Sequence, residues 1–161
     1  MKTVLILEDD RTSLTVLKTV LEREYRVILT QTPEDAIAVC STEPSPDIFI
    51  ADNRLRSMLS GLQILLHSHE SRPQMPLLIV SGTPPEGWSD GDFDCFARLV
   101  SRATIGFLLK PFTVAALKSK VRDLIDRNSD AQEIRTVLEL ATRHRQTPES
   151  WRFRYPASES F

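Results

Sequence analysis

The sequence has no long hydrophobic run and only two cysteines among its 161 residues. None of its apolar stretches approaches the roughly 18 residues that a membrane-spanning helix needs, and the apolar run after Met1 is too short for a signal peptide. Cys40 and Cys95 lie far apart without Cys-x-x-Cys spacing, which is typical of reduced packing residues rather than of a disulfide framework or a metal site. We therefore expect a soluble, cytoplasmic protein that does not contact a membrane.

The chain also lacks a large excess of basic or acidic residues, since 20 basic and 22 acidic residues give a net charge of −2. This balance does not favour direct binding to nucleic acid.

Three enzyme motifs are absent as well. The chain has no Gly-x-x-x-x-Gly-Lys loop, Ile79 replaces the first glycine of a Gly-x-Ser-x-Gly elbow at Ser81, and Arg54 replaces the second aspartate of a phosphatase Asp-x-Asp motif at Asp52. These absences argue against a hydrolase on an α/β sheet.

Four short apolar runs each end in side chains that can do chemistry. The run Ile48–Ala51 is closed by Asp52 and is typical of a strand buried on both faces of a parallel sheet. Ligand sites of such sheets gather at the carboxyl ends of the strands. The other three runs end in acids, a hydroxyl and an amine: residues 4–7 before Glu8-Asp9-Asp10, residues 77–80 before Ser81, and residues 105–109 before Lys110. Their convergence on Asp52 suggests phosphoryl transfer to that aspartate.

Helical patterns alternate with these strands and with a further strand at residues 26–30. The first helix is predicted to have Thr12 or Ser13 as its N-cap and to end near Glu24. Residues 82–92 are rich in glycine and proline and are predicted to form a loop throughout, with the next helix starting near residue 94. Five strands that alternate with helices predict an α/β fold whose parallel sheet is covered on both faces.

The chain leaves this alternation after about residue 127, so we predict one domain at residues 1–127 and a C-terminal extension at residues 128–161. A helix over about 130–144 is predicted from an apolar stripe with helical spacing, formed by Ile134, Val137, Leu138 and Ala141. The residues from Gln146 onward are predicted to be mobile. Two interpretations of the stripe stay open: it folds back on its own domain, or it packs against a second copy or an output partner.

Several motifs, taken in order, resemble the receiver domain of bacterial two-component response regulators. They are the Leu-Glu-Asp-Asp turn at residues 7–10, the Pro-Asp-x-x-x-x-Asp strand that ends at Asp52, the Ser81-Gly82 pair, and Phe-x-x-Lys-Pro-Phe at residues 107–112. The resemblance covers roughly residues 1–127. It implies a flavodoxin-like sheet of five parallel strands in the order 2-1-3-4-5.

The resemblance implies that Asp52 accepts a phosphoryl group from a sensor histidine kinase or a histidine phosphotransfer protein. It also implies a Mg²⁺ ion held by Glu8, Asp9, Asp52 and the main-chain carbonyl of Arg54, with Asp10 as a less favoured member of the acidic run. The protein would then be a phosphoacceptor and not an enzyme with a separate substrate. Any catalysis would concern its own phosphorylation and dephosphorylation.

The resemblance assigns roles to three further residues. Lys110 would neutralise one phosphoryl oxygen, and Ser81 would donate a hydrogen bond to another. The aromatic ring of Phe107 would swing inward when Ser81 moves, and so signal phosphorylation to an output protein or within a homodimer. Trp88 lies in the predicted flexible stretch after Ser81 and is expected to report this change.

The sequence also departs from the family pattern. No proline follows Asp52 in the segment before Gly61, that loop is slightly longer than usual, and the stretch between Ser81 and Lys110 is longer as well. These departures keep one alternative open, a pseudo-receiver that binds a protein partner without being phosphorylated.

Overall fold

A computed structural model describes residues 1–127 and 131–145, in which five parallel strands form one sheet. The strands are β1 (Thr3–Leu7), β2 (Arg26–Thr30), β3 (Ile48–Asp52), β4 (Leu77–Ser81) and β5 (Ile105–Leu109). Their order is β2-β1-β3-β4-β5, which confirms the predicted topology. Every residue of β3 and β4 is buried. These inner strands are almost continuously apolar because helices cover both faces of the sheet.

Six helices lie on the two faces of the sheet in the described part of the chain: α1 (Arg11–Leu21), α2 (Pro33–Cys40), α3 (Gly61–Ser71), α4 (Asp90–Arg102), α5 (Val114–Ile125) and α6 (Ala131–His144). One core packs α1 and α5 against Val4 and Ile6, and the other packs α2, α3 and α4 against Leu5 and Leu7. Successive strand residues thus supply opposite cores. Among the described residues, every helix is too short or too polar to cross a bilayer.

Helix α1 begins and ends earlier than predicted. Its N-cap is Asp10 and not Thr12 or Ser13, because the Asp10 carboxylate accepts a hydrogen bond from the N–H of Ser13 at 2.8 Å. An ionised cap also interacts favourably with the positive end of the helix, so it prevails over the hydroxyls downstream. The helix ends at Leu21 instead of Glu24, since Leu21 is its last buried residue and the chain turns there towards β2.

Helix α4 begins at Asp90, inside the segment that was predicted to be a loop throughout. Ser89 is its N-cap, and the Ser89 hydroxyl accepts a hydrogen bond from the N–H of Asp92 at 3.1 Å. The two aspartates of the first turn interact favourably with the helix dipole and offset the cost of Gly91. The same segment also contains a 3-10 turn at Pro85–Gly87.

Trp88 is buried, and the prediction of a flexible stretch around it is wrong. Only 7% of Trp88 is exposed. Its indole packs edge-on against Phe96 and Phe107, with ring centroids 5.2 and 5.7 Å away. The indole N–H donates to the carbonyl of Thr83 at 2.8 Å. A tryptophan gains most from burial where its one polar atom has a partner, and this loop supplies one.

Helix α6 lies close to the predicted range of 130–144 and packs on its own chain, against α4, β5 and the 3-10 turn. The predicted stripe is buried or partly buried at every position: Ile134, Val137, Leu138 and Ala141. The interpretation in which the extension folds back therefore describes this structure. The domain boundary after residue 127 stays a prediction, and the residues from Gln146 onward lie outside the described chain.

Gly61, the first residue of α3, lies against the main chain at the end of β3. A Cβ atom added at Gly61 would be 2.1 Å from the carbonyl oxygen of Asp52 and 3.0 Å from the Cα of Asn53. Both neighbours are backbone atoms, so they cannot move aside as a flexible side chain could. Helix α3 can approach the end of β3 this closely only because residue 61 has no side chain.

We therefore expect Gly61→Ala to destabilise the fold by about 2–3 kcal/mol or more, as overpacking against rigid neighbours does. Gly91→Ala is the matched control, because nothing lies within 4 Å of a Cβ at Gly91. Alanine there should leave stability unchanged or raise it, by at most about 1 kcal/mol. Urea unfolding of both variants is the measurement, and equal stabilities would contradict the steric argument.

Candidate functional site

Three of the predicted site residues meet at the carboxyl edge of the sheet. Glu8 follows β1, Asp52 ends β3, and Lys110 follows β5. The ammonium nitrogen of Lys110 lies 3.0 Å from Oε2 of Glu8 and 3.3 Å from Oδ1 of Asp52. The three side chains are at most 13% exposed. Water and salt therefore screen these ion pairs much less than they screen pairs on a protein surface.

Asp9 completes a group of three carboxylates with Glu8 and Asp52. One oxygen from each carboxylate lies within 4.8 Å of the other two. Only the ammonium group of Lys110 forms an ion pair with this group in the described residues, which leaves an excess of negative charge. Mg²⁺ prefers oxygen ligands and is usually held by one or two protein carboxylates together with water and phosphate oxygens, so the residues present can supply the protein ligands of the predicted ion.

Asp10, the less favoured member of the acidic run, serves the helix that follows it. Hydrogen bonds from Ser13 lower the pKa of the exposed Asp10 carboxyl. The main-chain N–H of Asp10 donates to Oε1 of Glu8 at 3.0 Å and so helps to fix the Glu8 side chain. The geometry thus groups Glu8 and Asp9 with Asp52 and directs the carboxylate of Asp10 towards α1.

The electrostatics of Asp52 are dominated by burial. Burial raises the pKa of Asp52 to about 6, and the neighbouring carboxylate of Glu8 adds to the rise, while Lys110 opposes it. Burial alone would lower the pKa of Lys110, but the charges of Asp52 and Glu8 outweigh burial and raise it. The lysine is therefore a fixed positive charge, and Asp52 is the group whose ionisation is costly.

The loop after β3 closes over the acidic group. The main-chain N–H of Arg56 donates to Oδ2 of Asp9 at 2.5 Å, which ties this loop to the end of β1. Arg54 lies two residues after Asp52 in the same loop, with its side chain exposed. The role of the Arg54 main-chain carbonyl as a metal ligand stays a prediction.

Ser81 lies at the same edge, but its hydroxyl is engaged within its own loop. The Ser81 hydroxyl donates to the carbonyl of Thr83 at 2.8 Å. It also accepts from the main-chain N–H of Thr83 at 3.1 Å and from the indole N–H of Trp88 at 3.3 Å. The structure therefore pairs the Ser81 hydroxyl with neither Asp52 nor Lys110, and the hydroxyl hydrogen would have to leave Thr83 to reach another acceptor.

Phe107, the predicted switch residue, is half-buried in β5 and contacts Trp88 edge-on. Trp88 in turn donates to Ser81, so the two predicted switch residues are linked through the indole ring. This role of Trp88 was not predicted. The sequence signal for it was a large aromatic residue inside a stretch otherwise rich in glycine and proline.

Asn53 and Asp92 also support the site and were not predicted. The side-chain oxygen of Asn53 accepts from the N–H of Leu62 at 3.2 Å, and its amide donates to Asp92 at 3.3 Å. The hydroxyl of Ser60 donates to Asp92 at 2.5 Å. The residue after Asp52 is thus connected to the start of both α3 and α4. A polar residue directly after a predicted strand was the only signal in the sequence.

The sequence profile described as the response regulator receiver domain matches residues 4–122. The chain therefore belongs to the response regulator receiver domain family. The match includes four strands in full, β1 from its second residue, and each of the strand ends that form the site.

Two curated relatives are similar over most of this chain. The hydrogenase transcriptional regulatory protein HoxA of Cupriavidus necator is 26% identical over 141 residues, which cover 87% of this chain and 28% of HoxA. The alkaline phosphatase synthesis transcriptional regulatory protein PhoP of Bacillus subtilis is 26% identical over 131 residues, which cover 81% of this chain and 51% of PhoP. The chain thus spans 28% and 51% of the lengths of these two relatives.

Solved receiver domains have the same fold. The CheY-like response regulator receiver domain protein of Methanospirillum hungatei JF-1 superposes with a TM-score of 0.67 at 24% sequence identity. The superposition covers 79% of this chain and 95% of that protein.

The raised pKa of Asp52 predicts how the stability of the metal-free protein depends on pH. Between the unfolded pKa of 3.8 and the folded pKa of about 6, the folded state binds more protons, so stability falls as the pH rises through this window. Asp52→Asn removes the buried charge. We expect it to stabilise the metal-free protein by about 1–3 kcal/mol at neutral pH, and by less near pH 4.

Urea unfolding in the presence of a chelator, near pH 4.5 and near pH 7.5, measures this effect. Asp10→Asn is the control, because Asp10 is exposed and its pKa is lowered, so its neutralisation should not stabilise the fold. A loss of stability in Asp52→Asn at neutral pH would show that the ion pair with Lys110 outweighs the cost of burial.

Proposed function

We propose that this receiver domain accepts a phosphoryl group on Asp52 and signals through a conformational change to a protein partner. The observation that supports this most directly is the position of Asp52, buried at the carboxyl edge beside Lys110 and two further carboxylates. At neutral pH a carboxyl group with a pKa of about 6 is mostly ionised and is more basic than an exposed aspartate. Asp52 is thus suited to act as a nucleophile.

In the proposed reaction an oxygen of Asp52 attacks the phosphorus of a phosphohistidine or of a small acyl phosphate. A new O–P bond forms, and the bond from phosphorus to the donor atom breaks, with the electron pair leaving on the donor. Mg²⁺ held by Glu8, Asp9, Asp52 and the carbonyl of Arg54 would neutralise charge on the phosphoryl oxygens. Lys110 would supply the second positive charge from beside the nucleophile.

Ser81 would join the site only after the transfer. Its hydroxyl has to leave the carbonyl of Thr83 before it can donate to a phosphoryl oxygen. That step also removes one of the two acceptors of the Trp88 indole N–H, which keeps its hydrogen bond to the carbonyl of Thr83. The indole contacts Phe107. The added charge would therefore change the packing of both aromatic residues, which fits the proposed role of Phe107 as a switch.

The phosphoryl donor would be a sensor histidine kinase or a histidine phosphotransfer protein in the cytoplasm. The signal would pass to an output protein or act within a homodimer. HoxA and PhoP are transcriptional regulatory proteins, and their similarity supports a regulatory output for this chain as well.

One observation favours the alternative of a pseudo-receiver. The hydroxyl of Ser81 and the ammonium of Lys110 already have partners without any phosphoryl group. A domain that kept these contacts permanently would present one fixed surface to its partner. Labelling with phosphate separates the two functions.

We expect the chain to gain one phosphoryl group from acetyl phosphate when Mg²⁺ is present, and Asp52→Asn to gain none. The measurement is intact-protein mass spectrometry, or phosphate labelling analysed at mildly acidic pH. Asp47→Asn provides a control, because Asp47 precedes the same strand and accepts a hydrogen bond from the N–H of Thr3 far from the site. Unchanged labelling of Asp52→Asn would refute the assignment, and no labelling of the native chain would support the pseudo-receiver.

The acidic residues should act through the metal. Neutralising Glu8 and Asp9 together ought to weaken Mg²⁺ binding at least about tenfold, since two anionic ligands are lost. Asp10→Asn should change Mg²⁺ affinity far less, because its carboxylate caps α1. Titration calorimetry with Mg²⁺ distinguishes the variants, and a larger loss in Asp10→Asn than in Asp9→Asn would shift the assigned pair by one residue.

A further inference from the structure

Helix α6 covers an apolar surface formed by β5 and its neighbours. Ile134 and Val137 line a small cavity together with Ile105, Phe107 and Leu124. This surface therefore includes Phe107, the predicted switch residue. Because α6 has only 14 residues, most of its helical stability has to come from this packing.

Ion pairs hold both ends of α6. Near its start, Glu133 pairs with Lys120 of α5 at 3.0 Å. Directly after its end, the guanidinium of Arg145 pairs with Asp90, donates to the main-chain carbonyl of Trp88 at 2.7 Å, and lies 4.4 Å from the ring centroid of Phe93. The Arg145 side chain is mostly buried, so this one residue fixes the end of α6 on the loop before α4.

Trp88 connects this attachment to the phosphoacceptor edge. Its main-chain carbonyl accepts from Arg145, while its indole N–H donates to the hydroxyl of Ser81 at 3.3 Å. Two hydrogen bonds through one residue thus join the end of β4 to the end of α6. The ring of Phe107 contacts the same indole and also lines the cavity beneath α6.

We infer that α6 is an internal ligand of this surface and that phosphorylation of Asp52 releases it through Ser81, Trp88 and Arg145. The inference rests on the proposed phosphorylation of Asp52. When the Ser81 hydroxyl donates to a phosphoryl oxygen, it gives up its hydrogen bonds with Thr83 and with the Trp88 indole. The loop that presents the Trp88 carbonyl then loses its hydrogen bonds to the Ser81 hydroxyl, although the indole N–H keeps its bond to the carbonyl of Thr83. The position of the carbonyl that Arg145 binds is therefore less fixed.

The surface uncovered by this release suits an amphipathic helix of the output protein. Such a helix would need the features by which α6 itself binds: an apolar stripe, an acidic residue facing Lys120 near its start, and an arginine facing Asp90 and Phe93 after its end. Phosphorylation would thus replace an intramolecular helix with an intermolecular one on the same surface.

Hydrogen exchange of the full chain tests the release. We expect the amides of residues 131–145 to exchange at least about fivefold faster when Mg²⁺ and beryllofluoride, a phosphoryl mimic, are bound. Because coupling between two equilibria is reciprocal, Arg145→Ala should bind beryllofluoride more tightly, by up to the same factor if it releases α6 fully. Arg143→Ala is the matched control, since Arg143 is exposed on the same helix and its loss removes the same charge.

Two further measurements separate this inference from the proposed function. Fluorine NMR reports whether beryllofluoride binds, so bound mimic with unchanged exchange in α6 would overturn the inference and leave the function standing. Ser81→Ala removes the hydroxyl that binds both Thr83 and the Trp88 indole, without any phosphoryl group, and should speed exchange in α6 by itself. Unchanged α6 exchange in Ser81→Ala would overturn the coupling even if the mimic fails to bind.

Arg145→Lys keeps the charge but not the planar fork, and it should shift beryllofluoride affinity in the same direction as Arg145→Ala.

Discussion

The excess of buried negative charge around Lys110 is the constraint on which the rest of the structure depends. Three carboxylates, those of Glu8, Asp9 and Asp52, converge at the edge of the sheet, and only one ammonium group is paired with them in the described chain. Buried charges that lack full compensation are costly, as the raised pKa of Asp52 shows. The fold tolerates this cost because two well-packed cores stabilise the strands that bring the groups together.

The same charge excess explains why the site can respond to a ligand. A cation reduces the repulsion among the carboxylates, whereas a phosphoryl group adds negative charge that needs new donors. Lys110 is already in place for that task, but Ser81 is held by Thr83 and Trp88. The structure thus contains one donor, Lys110, that already lies beside Asp52, and another, the Ser81 hydroxyl, that is hydrogen-bonded elsewhere. A difference of this kind between two states is what a conformational switch requires.

The strands and most of the site could be predicted because they depend on local signals. Each apolar run forms a strand where it was predicted, and the acids, Ser81 and Lys110 follow from their places at strand ends. The cap of α2 was also predictable, since Thr32 before proline is a strong start signal. The Thr32 hydroxyl accepts a hydrogen bond from the N–H of Asp35. At the start of α1 three residues could act as N-cap, and the ionised Asp10 does so instead of Thr12 or Ser13. Capping propensity alone did not distinguish them.

The features that escaped prediction depend on contacts between distant parts of the chain. The burial of Trp88 requires Phe96, Phe107 and the carbonyl of Thr83 to surround it, and glycine and proline nearby pointed instead to an open loop. The position of α6 was left open for the same reason, because an apolar stripe shows that a helix needs a partner but not which one. Arg145 identifies the partner only once the start of α4 is known.

The close approach at Gly61 has a consequence for how such a site can change over evolution. Asp52 and the glycine nine positions after it are held together by contact between main chains, with no room for even one methyl group. The intervening loop includes Met58, which is fully exposed. A side chain at residue 61 would therefore displace the main chain of Asp52, whereas a substitution at Met58 would disturb neither residue. The site therefore depends on a main-chain contact between the end of a strand and a glycine, and not on its side chains alone.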